Sequence, residues 1–151
     1  MSEKSAQFFS GEFSHKLDAK NRLTIPSDWR FEAEGGDVYL ALPNPIGCIT
    51  VYPPEMVQQL LVAARQSSLS APEKQRALSA LGRLACKVTC DKAGRICLDS
   101  RLLKHAAIEG DATLIGEFSK FHIWNPERLE AEDAKASDLA SVFGTLAELG
   151  L

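Results

Sequence analysis

Apolar and polar positions alternate along Phe13-Ser14-His15-Lys16-Leu17 and again along Leu23-Thr24-Ile25, the period of a half-buried strand. Asp18-Ala19-Lys20-Asn21 lies between them and is rich in turn formers. The pair is predicted as a β-hairpin with its tip at Lys20-Asn21. Asn tolerates positive φ better than other non-glycine residues, so Asn21 can serve where a turn needs it. Pro26 ends the strand, and Ser27-Asp28-Trp29-Arg30-Phe31 is predicted as a short helical turn with Ser27 as its cap. After the Gly35-Gly36-Asp37 turn, Val38–Leu42 and Cys48–Tyr52 are predicted strands around a Pro43–Gly47 loop.

The period then changes. From Pro53-Pro54 onward, Met56, Val57, Leu60, Leu61 and Ala64 form a helical stripe. A second helix is predicted from the capping box Ser70-Ala71-Pro72-Glu73, with Ala77, Leu78, Leu81 and Leu84 on its stripe and Gly82 as a potential stop. Period two returns at Leu84, Cys86, Val88 and Cys90, and Asp91–Gly94 predicts a second hairpin tip. Strands follow at Ala112–Ile115 and Phe121–Trp124, and Asn125-Pro126 opens a helix. In the tail, Leu139, Val142, Phe143, Leu146 and Leu149 keep helical spacing across Gly144. Such a helix packs either on its own subunit or on a neighbour. Residues 1–7 are polar and are expected to be disordered.

The pattern occurs twice. Asp18-Ala19-Lys20-Asn21-Arg22-Leu23-Thr24-Ile25 is echoed in the second half of the chain by Asp91-Lys92-Ala93-Gly94-Arg95-Ile96-Cys97-Leu98. Gly36-Asp37-Val38 is matched to Gly110-Asp111-Ala112, and Tyr52-Pro53-Pro54-Glu55 to Trp124-Asn125-Pro126-Glu127. Near-constant offsets point to a duplicated structural unit. A charged tip kept in both copies suggests a binding surface used twice.

Net charge is −3 over 151 residues, with no global polyanion signal. Its distribution changes that picture. From Arg83 to Lys104 there are six Lys or Arg against two acids, while the chain beyond Glu127 is acidic. Local fields steer polyanions even when the whole is acidic. No stretch is long and apolar enough for a membrane span, so a cytoplasmic protein is expected. The four cysteines lack C-x-x-C spacing and are expected to be reduced apolar residues. A zinc site on Cys86, Cys90, Cys97 and His105 is the rival reading. Catalysis finds little support: the histidines do not recur between copies, and no nucleophile stands in a known context. No cofactor or small-molecule substrate is implied.

The repeated D-x-x-x-R suits binding. In a tight hairpin the carboxylate pairs with the arginine or accepts turn N–H groups, and so pre-sets the tip. An arginine held in this way offers a rigid fork for guanine O6 and N7, or for phosphate. Lys16, Lys20 and Lys92 lie near to neutralise phosphates, and a two-stranded ribbon fits the major groove. The bland reading is a pair of solvated Asp–Arg locks.

Phe9-Ser10-Gly11-Glu12-Phe13, Asp18 to Pro26, Asp91 to Ile96 and the two Pro-Glu helix starts together resemble the MraZ family of bacterial regulators. The resemblance covers roughly Phe8 to Arg128. Asn21 stands in place of the usual tip glycine, and Asp99 where a proline is common. The resemblance implies an α+β, mainly β fold: two tandem pseudo-symmetric swapped-hairpin units of the AbrB and MazE type, forming a double-split β-barrel core. A helical pair would lie between the units and a helix would follow them. The boundaries implied are a first repeat at 8–56, connecting helices at 57–83, a second repeat at 84–125 and a helical segment at 126–151. It further implies a closed ring of subunits binding short G-rich direct repeats in double-stranded promoter DNA, at the nucleoid, to regulate the division and cell-wall genes and its own operon. Arg22 and Arg95 would read bases or phosphates. Lys16, Lys20 and Lys92 would touch phosphates, and Asp18, Asp91, Asn21 and Gly94 would support the tips, with His15 and Thr24 as lesser candidates. An antitoxin-type regulator of the same barrel class, and a protein-interaction scaffold using the acidic tips, are the rival functions.

Overall fold

A computed structural model describes residues 8–67, 71–135 and 138–150. It is a mixed α+β structure in which a mostly antiparallel sheet carries five α-helices. The strands are β1 (Glu12–Lys16), β2 (Arg22–Thr24), β3 (Val38–Pro43), β4 (Ile49–Tyr52), β5 (Cys86–Thr89), β6 (Arg95–Cys97), β7 (Asp111–Glu117) and β8 (Lys120–Trp124). The helices are α1 (Pro54–Ser67), α2 (Pro72–Leu84), α3 (Ser100–Ala106), α4 (Pro126–Asp133) and α5 (Leu139–Glu148), with a 3₁₀ turn at Ser27–Trp29. No helix of the described residues is long and apolar enough to cross a membrane.

Six strands form one open sheet in the order β1-β7-β8-β4-β3-β5, and β2 pairs with β6 in a separate two-stranded ribbon. The six-strand order reads the same in both directions once first-copy and second-copy strands are exchanged, so the duplication is built as a pseudo-two-fold. Phe13 faces Leu114 as Cys86 faces Ala41, and the offset that separates Asp18 from Asp91 holds along both edge pairs. That register corrects one expected match. Val38, not Asp37, is the structural partner of Asp111. The two aspartates accordingly do different work. Asp37 is buried and accepts from the backbone N–H groups of Phe31, Glu32 and Ala33 at 2.7, 3.1 and 2.9 Å. Asp111 is exposed, 3.9 Å from Lys16.

The local hairpins are also corrected. β1 pairs with β7 and not with β2, and β5 pairs with β3 and not with β6. Within each D-x-x-x-R segment one turn closes, with Asp18 N–H donating to Arg22 O at 3.0 Å and Asp91 N–H to Arg95 O at 2.8 Å. Past that bond the arms diverge, and the outgoing arms meet each other in the ribbon. Period-two alternation sets the faces of a strand and leaves its partner open.

Helix starts differ in detail from expectation. Ser27 is the first residue of the 3₁₀ turn, not its cap, because Pro26 fills that place. Pro26 and Asp99 are equivalent under the same offset, and Asp99 caps α3 by accepting from Arg101 N–H at 2.7 Å. That short helix, with Leu102, Leu103 and Ala106 buried, was not expected. Ala71 precedes Pro72 at the start of α2 with no side-chain cap, while Ser70 lies outside the described residues, as do residues 1–7. α2 runs through Gly82 to Leu84, so β5 starts only at Cys86. Asn125 caps α4, with Pro126 at its first position as expected.

The core lies under the sheet and the ribbon. Leu23 and Ile96 face each other across the ribbon with no exposed surface. They share one core cluster with Phe9, Trp29, Tyr39 and Phe121, whose rings meet edge-on or tilted with centroids 5.0–6.0 Å apart. Tyr39 Oη donates to Trp29 O at 2.9 Å, satisfying the one polar atom of that ring. Burying side chains of this size contributes about 1.5–3 kcal/mol each. The helices are different: α2, α4 and α5 contain no buried residue.

Candidate nucleic-acid interface

Because Leu23 and Ile96 turn inward, their neighbours turn outward. The outer face of the ribbon therefore holds Arg22 opposite Cys97 and Thr24 opposite Arg95. These four side chains come from the two copies of the repeated segment. The ladder extends at each end to the residue with positive φ in the opposite turn. Leu98 N–H donates to Asn21 O at 2.9 Å, and Ile25 N–H to Gly94 O at 2.8 Å. Asn21 has φ 61° and Gly94 φ 81°, so Asn21 fills the glycine's role as expected.

Each turn is wired alike. Asp18 Oδ1 accepts from Lys20 N–H at 2.9 Å and Arg22 N–H at 2.8 Å, and its Oδ2 from Arg22 Nε at 2.6 Å. Asp91 Oδ1 accepts from Ala93 N–H and Arg95 N–H, both at 2.9 Å, and its Oδ2 from Arg95 Nε at 3.1 Å. The carboxylate thus fixes both the backbone of its turn and the direction of its arginine. The Arg22 amide, opposed by partial burial and helped by the Arg22 guanidinium and the Lys20 amide, holds Asp18 below the usual carboxylate range. Asp91 is lowered in the same way, led by the Arg95 amide. Both stay ionised and act as acceptors only. Nε is engaged in each arginine, and each arginine side chain stays about one-third exposed.

The two turns touch. Arg95 Nη1 lies 3.8 Å from Asp18 Oδ2. Arg22, Arg95, Asp18 and Asp91 thus form one cluster on one face. Asn21, Lys20 and Lys92 sit exposed on the turns beside it. Lysine comes third in the first turn and second in the other, so the turns are alike in backbone and unlike in charge placement. Lys16 belongs to a different place. It ends β1 and, with His15 and Asp111, lines a separate hollow of about 490 Å³.

Two residues of the region were not expected. Cys97 shares the ribbon face with Arg22, and its thiol lies 3.5 Å from Lys20 O. Arg30 packs its guanidinium on Gly94, and its Nε donates to Ile25 O at 2.8 Å. The position equivalent to Arg30 is Leu103, so a search for repeated polar residues passes over it. The zinc reading is not supported. Among the described residues no three His, Cys, Asp or Glu side chains gather as a metal would require. Cys48 and Cys90 are buried, Cys86 half-buried and Cys97 exposed, and all four are free thiols. Burial pushes the Cys48 thiol up to about 12.

This chain matches the sequence profile of the family described as "MraZ protein, putative antitoxin-like" over residues 8–80 and 83–142. Among similar proteins, the transcriptional regulator MraZ of Limosilactobacillus fermentum is 35% identical over 134 residues, covering 86% of this chain and 90% of that protein. The protein of the same name from Lachnoclostridium phytofermentans is 32% identical, covering 95% and 98%. That of Natranaerobius thermophilus is 34% identical, covering 93% and 94%. With most of its length matched, and with both D-x-x-x-R turns inside the match, this chain belongs to the MraZ family.

Proposed function

We propose that this protein is a sequence-specific DNA-binding transcriptional regulator that represses its own operon and the division and cell-wall genes with it. The observation that carries the reading is the ribbon face. Two arginines, one from each copy, lie diagonally across it, each aimed by a carboxylate that also holds its turn. Arg22 and Arg95 read guanine edges or phosphates in the major groove, where a two-stranded ribbon fits. Lys20 and Lys92 neutralise phosphates beside them, and Lys16 does so farther off, from the end of β1. The ribbon joining the copies supports the swapped-hairpin description of the two repeats.

The protein works as a closed ring, so that neighbouring subunits meet successive short G-rich repeats and weak contacts gain by multivalency. Apolar positions left open on the helices support assembly: Leu61, Val62, Leu81 and Leu84 on α1 and α2, and Leu139, Phe143 and Leu149 at α5, the last three each at least 65% exposed. It acts in the cytoplasm at the nucleoid.

Fluorescence anisotropy against duplexes carrying one, two or three direct repeats tests the reading. Affinity should climb steeply with repeat number and fall with salt, with slope about 0.9 per phosphate engaged. Equal affinity for repeats and for scrambled duplexes of the same composition would remove sequence specificity.

A further inference from the structure

Gly94 and Asn21 hold the same place in the two turns, yet Gly94 is buried and Asn21 is exposed. The difference is Arg30. Its guanidinium lies where a Cβ on residue 94 would stand, and its Nε hangs from Ile25 O. Ile25 in turn donates its N–H to Gly94 O. One residue of the first copy thus ties together the second turn and the arginine that covers it. Glycine at 94 answers two demands, the positive φ and the room for that cover, whereas Asn21 meets only the first. The first turn has no such cover from the equivalent position. Leu103 stands there, 6% exposed and packed in the core.

We propose that Arg30 is a positioning residue for Arg95. It seals the second turn onto β2 and fixes the direction of the Arg95 fork, while the Arg22 turn keeps freedom to adjust on DNA. The proposal rests on the DNA-binding reading above. A pre-ordered fork loses less freedom on binding than a mobile one, so the cover raises affinity without touching the ligand. Arg30 also lines a cleft of about 670 Å³ with Lys92, Asp37 and Asp91. Direct contact with phosphate is therefore the competing role.

The first readout needs no DNA. In Arg30→Ala, hydrogen exchange at the Ile25 amide should quicken by about tenfold, the effect of losing one charge-assisted bond nearby. The Leu98 amide, its equivalent at the first turn, should not change. The second readout is a double-mutant cycle on duplex DNA. Arg30→Ala should weaken binding, add nothing to Arg95→Ala, and add fully to Arg22→Ala. The salt slope should stay as in wild type.

Additive loss with Arg95→Ala and a slope shallower by about 0.9 would make Arg30 a phosphate ligand and overturn the proposal. Unchanged exchange at Ile25 would overturn it as well. If Arg30→Ala does not fold, Arg30→Met keeps an unbranched side chain without any donor to Ile25 O and should give the same exchange result. A wild-type protein that does not bind duplex DNA would defeat the DNA-binding reading, and the exchange result would still report on the cover.

Discussion

Arg95 holds two carboxylates, one from each copy: Asp91 Oδ2 at 3.1 Å through Nε, and Asp18 Oδ2 at 3.8 Å through Nη1. Arg22 has no corresponding ion pair with Asp91 among the described residues. The pseudo-two-fold is therefore broken at its most charged point, and Asp18 is the carboxylate that serves both arginines.

Unequal effects of the two acids follow from that asymmetry. Asp18→Asn loosens its own turn and removes a partner from Arg95, whereas Asp91→Asn loosens one turn only. Asp18→Asn should weaken DNA binding more than Asp91→Asn does, as read by anisotropy titration at one fixed salt concentration. Equal losses, or the reverse order, would mean that the contact between Asp18 and Arg95 has no part in orienting that arginine.

Acid should melt the turns late. Asp18 and Asp91 both titrate below the ordinary 3.8 in the folded chain, so their contribution is complete above that value and lost as pH falls through the lower folded ones. The Arg22 and Arg95 amide resonances should move with pH at midpoints below the ordinary aspartate value of 3.8. A midpoint above the ordinary aspartate value of 3.8 for either amide would contradict the wiring.

Leu23 anchors the ribbon opposite Ile96, and neither has exposed surface. Leu23→Ala leaves a cavity at the point where the two copies join and should cost about 2–5 kcal/mol in urea unfolding. A cost below about 1 kcal/mol would show that the ribbon collapses around the loss, and that it is a looser platform than described.

The α5 helix exposes Leu139 at 74% and Phe143 at 65%, and none of its residues is fully buried. In the proposed ring these positions meet a neighbour. Truncation after Lys135 should lower the subunit count in light scattering. An unchanged molar mass would place the ring contacts elsewhere.

Much of this was legible in the sequence. Turn formers and alternation located the strands around each turn, and Asn21 was readable as a positive-φ residue from its chemistry alone. The pairing of β2 with β6 was not, because alternation sets which side chains point inward and is silent on a partner far along the chain. The short α3 escaped because seven residues between two strands give barely two turns of periodic signal, although Asp99 and the Leu102-Leu103-Ala106 stripe were present. The Asp37 and Asp111 echo misled by one residue, since identity in a Gly-Asp pair does not report register. Arg30 gave no repeated signal, and only the three-dimensional contact with Gly94 reveals it.

The most direct test of the account is a gel shift on the DNA upstream of this protein's own gene, with wild type beside the Arg22→Ala, Arg95→Ala double mutant. The wild type should shift that DNA in a salt-sensitive way. The folded double mutant should lose the shift, each arginine accounting for about 1–3 kcal/mol per specific contact. A double mutant that shifts the same fragment as tightly as the wild type would contradict the claim that the ribbon face reads DNA.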